Sequence, residues 1–464
     1  GRLFVLLVQT IAQCSAMYLH TNVSFCLCFY ITYFSFFLFF FFNAPATTDI
    51  YPLSLHDALP ICVRRSALIS LSNLSDQRIR SAKTGDWWTT NPERALANNS
   101  VAYTEKPDAG IFMKEWLSLY ESKSGERGMF NRASAQAKAA ENGRRDANWD
   151  FGTNPCSEII LRPNQFCNLT EVVVRSTDTV AHLTKKIQIA TLLGTIQSTF
   201  TNFGYLRKRW QNNTEEERLL GVSLTGIMDS PLMNGKESGL EKRLETLRGV
   251  AVEANKYWAD KFGINQSTAI TCVKPSGTVS QLVDSSSGIH ARHNPYYIRT
   301  VRGDNKDPLT EFMKASGIPS EPDYMKPEHT TVFSFPMKAP TGSICRNDMS
   351  AIEQLELWKI YAKHWCEHKP SVTISVKESE WVPVGAWCWE NFEYLSGVSF
   401  LPFSDHTYQQ APYQDIDEKE YKKLVKKMPA TLDWHKLQDF EKEDNTKGSQ
   451  ELACTAGVCE LVDI

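Results

Sequence analysis

Neither sign of charge is in excess along these 464 residues: 50 Lys and Arg face 53 Asp and Glu, a net charge of −3. A chain so balanced offers no basic field to a nucleic-acid backbone. It holds no internal repeat either, which sets aside solenoid arrays. Its twelve cysteines lack the dense spacing of an oxidised secreted domain. That implies a reducing compartment, the cytoplasm, with most thiols buried and a few chemically special. One pair, Cys454 and Cys459, stands near the end as "CTAGVC". No second Cys or His pair lies near it, which excludes a four-ligand zinc site. What is plentiful is apolar, 42% of residues, enough for a sizeable core in one large domain or two to three ordinary ones.

The first 61 residues differ from the rest. Val23–Phe42, "VSFCLCFYITYFSFFLFFFF", carries no charge and has the length of a membrane span. Yet nine of its twenty residues are Phe, where spans carry Leu, Ala and Gly. The following "NAPATTDIYPLSLHDALPI" resembles one reading frame of a sequencing-adapter oligonucleotide. Residues 1–61 are therefore read as a non-native segment, with no membrane contact expected of the protein. A genuine anchor on a non-enzyme with structural thiols is the rival reading.

From residue 62 to 440 the pattern is that of a folded α/β protein. "RRSALISLSNL" and "PSVTISVK" read as strands, and "AGIFMKEWLSLYES" has helical apolar spacing. Leu183–Phe203 reads as a long, mostly buried helix, and Gly239–Gly263 as an amphipathic helix ending on Gly. "TEEERLLGVSLTGIMD" suggests a helix opening at Thr214 as N-cap, with three acids in its first turn. "STAITCVKPSGTVSQLV" reads as strand, tight turn, helix. Residues 441–464 are polar and read as a mobile tail.

The chemistry gathers in "TNPCSEIILRPNQFCNLTEVVV", Thr153–Val174. Pro155 disfavours helix at Asn154. In extended chain Asn154, Cys156 and Glu158 share one face. A lone Cys in a loop is ordinarily a packed thiol, but Glu and Asn are costly to bury unless paired or used. A second thiol, Cys167, returns eleven residues later. On a flexible tail, Cys454 and Cys459 suit thiol–disulfide exchange. These parts fit one reaction. A sulfur radical abstracts hydrogen from a carbon bearing oxygen, a carboxylate takes the hydroxyl proton as general base, and thiols supply two electrons. That is reduction of a ribose 2'-hydroxyl. In "CVKPSGTVSQLV", Ser276, Gly277, Thr278 and Ser280 lie between strand and helix, where small residues admit an anion to backbone N–H groups.

"NPCSE" with its second Cys, "KPSGTVS", the terminal pair, "VRRSALISLSNL", "GERGMFNRAS" and "SSSGIHARHNPYYIRTVR" together resemble ribonucleotide reductases. They look most like the adenosylcobalamin-dependent, monomeric ribonucleoside-triphosphate reductases, from about Val63 onward. The resemblance implies the second half of a ten-stranded α/β barrel with a central finger loop. It makes Cys156 the thiyl radical site, Glu158 the base at the 3'-hydroxyl and Asn154 its hydrogen-bonding partner. Cys167 becomes one of two reducing thiols, and Cys454 and Cys459 the tail dithiol that reopens their disulfide, with thioredoxin or a similar dithiol protein as partner. Ser276, Gly277, Thr278 and Ser280 become the loop holding the substrate phosphates.

Diiron-dependent relatives pass the radical through two adjacent tyrosines near the C-terminus, whereas Tyr394, Tyr408 and Tyr413 stand singly here. Glycyl-radical relatives carry a C-terminal Gly loop that this tail lacks. Adenosylcobalamin is the cofactor that remains, with the large subunit of a diiron reductase as the alternative. The family's other reducing cysteine is expected upstream, and Cys62 does not match it. Cys272, Cys345, Cys366 and Cys388 are read as core packing. A chain with Cys167 alone of the pair, and half a barrel, is expected to be inactive by itself.

Overall fold

A computed structural model describes residues 68–403 and 410–441. Parallel strands joined by helices dominate it, as short β-branched runs separated by helical segments require. Strands β1 (Leu68–Ser72), β2 (Ala97–Tyr103) and β3 (Gly128–Asn131) pair in parallel, with the Ala109–Ser122 helix crossing between β2 and β3. Asp108 caps that helix by accepting from Ile111 N–H at 2.9 Å.

A short antiparallel hairpin follows, β4 (Gly152–Thr153) and β5 (Ile160–Leu161). A second parallel set comes next: β6 (Asn168–Val173), β7 (Leu220–Thr225) and β8 (Thr271–Cys272). The Val180–Gln197 and Leu240–Phe262 helices cover its outer face, where Leu183, Ile187, Leu244 and Leu247 pack on Val172, Leu220, Val222 and Leu224. An antiparallel sheet then stands apart, with β9 (Tyr296–Asp304), β10 (Ser320–Pro322), β11 (Thr330–Lys338) and, later in the chain, β14 (Tyr413–Asp415) in the order β10-β11-β9-β14. Between β11 and β14 come β12 (Val372–Val376) and β13 (Ser396–Pro402), which pair in parallel.

Two junctions join these sets. A parallel bridge between Val273 and Pro370 links the end of β8 to the approach of β12. β13 pairs antiparallel with β3, through Ser396 with Phe130 and Val398 with Met129. Eight strands thus form one ribbon, β1-β2-β3-β13-β12-β8-β7-β6, five running one way and three the other. The ribbon wraps around the β4–β5 finger. Asn98 of β2 donates to the Pro155 carbonyl at 2.9 Å, a Cβ on Gly397 of β13 would meet the Ser157 carbonyl at 3.0 Å, and one on Gly221 of β7 would meet Ile159 Cδ1 at 3.2 Å. A loop touched by strands at both ends of a ribbon lies inside it, as in an α/β barrel.

Most expected elements stand where the patterns put them. Thr214 does not cap a helix start; it lies near the end of the Lys208–Glu217 helix, and Glu215–Glu217 form its last turn. Acids there oppose the helix dipole, and Glu217 is held by a buried ion pair with Arg145. No described helix is long and apolar enough to cross a membrane; Val23–Phe42 lies outside the described residues.

Candidate active site

The extended backbone expected at Asn154, Cys156 and Glu158 is replaced by a tight turn at the finger tip. Ser157 sits in the left-handed region at φ 63°, and its N–H donates to the Asn154 carbonyl at 2.9 Å. The Asn154 side chain organises the turn: Oδ1 accepts from Ile159 N–H at 3.0 Å. Asn154, Cys156 and Glu158 therefore do not alternate along a strand, although Cys156 and Glu158 still meet at one ammonium.

That ammonium belongs to Lys274, just beyond β8. Its Nζ is 2.7 Å from Glu158 Oε1. Burial acts to lower the Lys274 pKa, but the charges of Glu158 and Cys156 outweigh it and hold the pKa above the ordinary lysine value. Glu158 is fully buried, and its Oε2 has no hydrogen-bond partner among the described residues. A buried carboxylate oxygen left unmatched is expensive, so Oε2 keeps its full capacity to accept a hydrogen bond or a proton.

Cys167 enters from the return loop just ahead of β6. Its Sγ lies 3.3 Å from where a Cβ on Gly221 of β7 would stand, a position that Leu169 Cδ2 crowds more closely still. Burial raises the thiol pKa, the Glu158 charge adds to this, and Arg145 and Lys274 oppose it. The loop is clamped from behind. Arg145 forks onto Glu217 at 3.1 and 2.9 Å, Gln165 Nε2 also donates to Glu217, and Arg162 forks onto Glu216 at 3.2 and 3.1 Å.

Two interior groups escaped the sequence reading. Cys272, read as core packing, pairs in register with Ser223 and so shares the inner face of the ribbon with Gly221 and Lys274. Burial, Glu158 and Cys167 all push its pKa up. Glu171 of β6 alternates with the outward Val172. Burial raises its pKa, while Ser276, Lys274 and Thr225 pull it down. The signal for both was strand alternation, counted inward from Lys274 and from Cys167.

The "KPSGT" turn is more self-contained than expected. Ser276 and Gly277 N–H groups donate to Ser287 Oγ at 2.9 and 3.3 Å, and Ser280 Oγ turns to the Gly277 carbonyl at 2.7 Å. The Thr278–Leu282 helix has five residues. Ser276 Oγ is buried without a hydrogen-bond partner among the described residues and faces Glu171. Cys454 and Cys459 lie outside the described residues.

The barrel and its finger have a counterpart among solved structures. A solved structure titled as a B12-dependent, class II ribonucleotide reductase matches with a TM-score of 0.67 at 24% identity, over 82% of this chain and 56% of that one. Curated homologues carry the more particular name. The adenosylcobalamin-dependent ribonucleoside-triphosphate reductase of Lactobacillus delbrueckii subsp. bulgaricus is 27% identical over 437 residues, covering 86% of this chain and 57% of its own length. Its namesake from Euglena gracilis is 27% identical over 379 residues, covering 79% and 50%. The chain thus spans little more than half the length of these relatives. No family model matches it.

Proposed function

We propose that this chain carries the catalytic finger and reducing thiol of an adenosylcobalamin-dependent reductase that converts ribonucleoside triphosphates to 2'-deoxyribonucleoside triphosphates. The observation that carries the reading is Glu158, sealed in the barrel with Oε1 on Lys274 and Oε2 unmatched. Cys156 and Cys167 are close enough to that pair to feel its charges.

In this reading Cys156, as a thiyl radical, takes the 3'-hydrogen of the ribose. Glu158 Oε2 takes the 3'-hydroxyl proton, which lets the 2'-hydroxyl leave as water. Cys167 supplies one of the two thiols that become a disulfide. One of their protons leaves with the 2'-hydroxyl as water, and the other proton and the two electrons go to the 2'-carbon. Glu158 returns its proton to the 3'-oxygen, and Cys156 returns the 3'-hydrogen and regains its radical. Asn154, its Oδ1 committed to the turn, offers Nδ2 as donor to the ribose. Ser276 Oγ and its loop bind the triphosphate. Adenosylcobalamin, when bound, supplies the radical equivalent by cleavage of its cobalt–carbon bond. Cys156 fits that role: it stands half-buried at the finger tip, where a second group can reach it, whereas Cys272 is closed off. The tail dithiol Cys454 and Cys459 reopens the disulfide and is itself reduced by a thioredoxin-type protein, in a monomeric cytoplasmic enzyme.

The test joins this chain to the upstream portion of the Lactobacillus delbrueckii relative and supplies nucleoside triphosphates, adenosylcobalamin and dithiothreitol. Deoxynucleotide is expected from the joined protein and none from its Cys156→Ser variant, because a serine O–H bond is too strong to exchange. Turnover by the serine variant, or none by a folded joined protein, overturns the reading.

A further inference from the structure

We propose that Lys274 is the positioning residue for the Glu158 base: its ammonium holds Oε1, stands as the counter-charge to the carboxylate and leaves Oε2 as the single oxygen facing a substrate hydroxyl. This rests on reading Glu158 as a base.

Lys274 is placed by its backbone before its side chain reaches anything. Its N–H donates to Ser223 Oγ on β7 at 2.8 Å. Gly288, at φ +54°, lies so close behind that a Cβ there would come within 2.5 Å of the Lys274 carbonyl oxygen. Cys272 and Lys274 are two apart, so both point into the ribbon, and Nζ ends 2.7 Å from Glu158 Oε1.

A carboxylate in such an interior takes up a proton unless a cation stands by it. The other titratable groups around the pair do not provide one. Cys156 faces it from the finger, Cys167 from the return loop, Cys272 from β8 and Glu171 from β6, and all four are neutral or anionic. Behind the finger, His368 Nδ1 accepts from Ile160 N–H at 3.3 Å, and Lys369 N–H donates to the Glu158 carbonyl at 3.0 Å. Burial pushes His368 down to about 3 and Lys369 well below the lysine range, so neither side chain supplies a counter-charge. Arg145 is committed to Glu217. Lys274 is therefore the counter-charge beside Glu158 among these groups, and its bond to Oε1 sets the orientation of the carboxylate.

The test needs neither cofactor nor nucleotide. Infrared difference spectra of the full chain against its Glu158→Gln variant isolate the Glu158 carboxylate band, followed as pH falls. In Lys274→Met the band should convert to the protonated acid at least about one pH unit higher than in the parent. Lys274→Arg should keep the parent midpoint. If Lys274→Met does not fold, Lys274→Gln, which removes the charge but keeps a donor, is read the same way. An unchanged midpoint in the uncharged variant overturns the proposal. In the joined reductase the acid limb of kcat/KM should move by the same amount with KM little changed. A displaced band in a folded protein that never turns over would overturn the base reading of Glu158 and leave the electrostatic role of Lys274 standing.

Discussion

Glu158 and Cys167 could be singled out from the chain because a buried carboxylate and a recurring thiol both need a reason. The pairing of Lys274 with Glu158 could not, since the two lie 116 residues apart and only the fold brings them together. Asn154 shows the opposite failure. The residue was found, but Pro155 and the left-handed Ser157 turn it into the organiser of the finger tip. Asn154→Ala should therefore loosen the turn as well as remove a donor. Protection of the Ile159 amide in hydrogen exchange should fall roughly tenfold if a bond worth about 1.4 kcal/mol is lost. Unchanged protection would mean that Ile159 is held by something other than Oδ1. For the tail, Cys454→Ser or Cys459→Ser in the joined protein should spare the first turnover. It should stop repeated turnover with a dithiol protein, and dithiothreitol should partly restore it. Loss of the first turnover would place these thiols in the chemistry itself.

Among the elements, the strands and long helices were legible from apolar periodicity alone, because each has one face against the core. The finger was not: two two-residue strands carry no periodicity. The Lys208–Glu217 helix misled because Thr followed by three acids has the composition of a helix start. Here tertiary demand overrides the dipole, since Glu217 must reach Arg145. That pair is nearly inaccessible to solvent, at 1% and 3% side-chain exposure. Removing one partner leaves the other charged and unmatched, so Arg145→Met should cost about 3–5 kcal/mol in urea unfolding. The double variant Arg145→Met, Glu217→Met should recover much of it. A single variant as stable as the parent would show that the clamp does not hold the Cys167 loop.

For the molecule as a whole, two interior histidines, His368 fully buried and His290 half-buried, shape the response to acid. His368 Nε2 donates to the Leu220 carbonyl at 3.0 Å, and His290 Nε2 accepts from Thr373 N–H at 2.9 Å. Burial lowers both pKa values, that of His368 to about 3. The unfolded chain therefore binds more protons than the folded one below the ordinary histidine value near 6.5. Stability is fully present above that pH and is lost progressively as pH falls, by up to about 1.4 kcal/mol per unit for each histidine, the loss from His368 continuing toward pH 3. Urea midpoints should drop between pH 7 and pH 5, and His368→Leu should flatten the slope. An equal slope in that variant would mean that His368 is charged in the fold.

The antiparallel seam between β3 and β13 also bears on how the protein acquires its shape. Asn131 Nδ2 reaches the Phe392 carbonyl at 2.8 Å across 261 residues of chain, so a strand made early waits for one made late. Contacts of such long sequence separation impose a large closure entropy before any reward, and proteins dominated by them fold slowly. Until β13 docks, β3 has an unpaired edge and the finger lacks one of its walls. A growing or refolding chain thus passes through a long interval in which the Cys156 thiol is still open to oxidants. Enclosure of that sulfur awaits the arrival of a strand from the far end of the barrel.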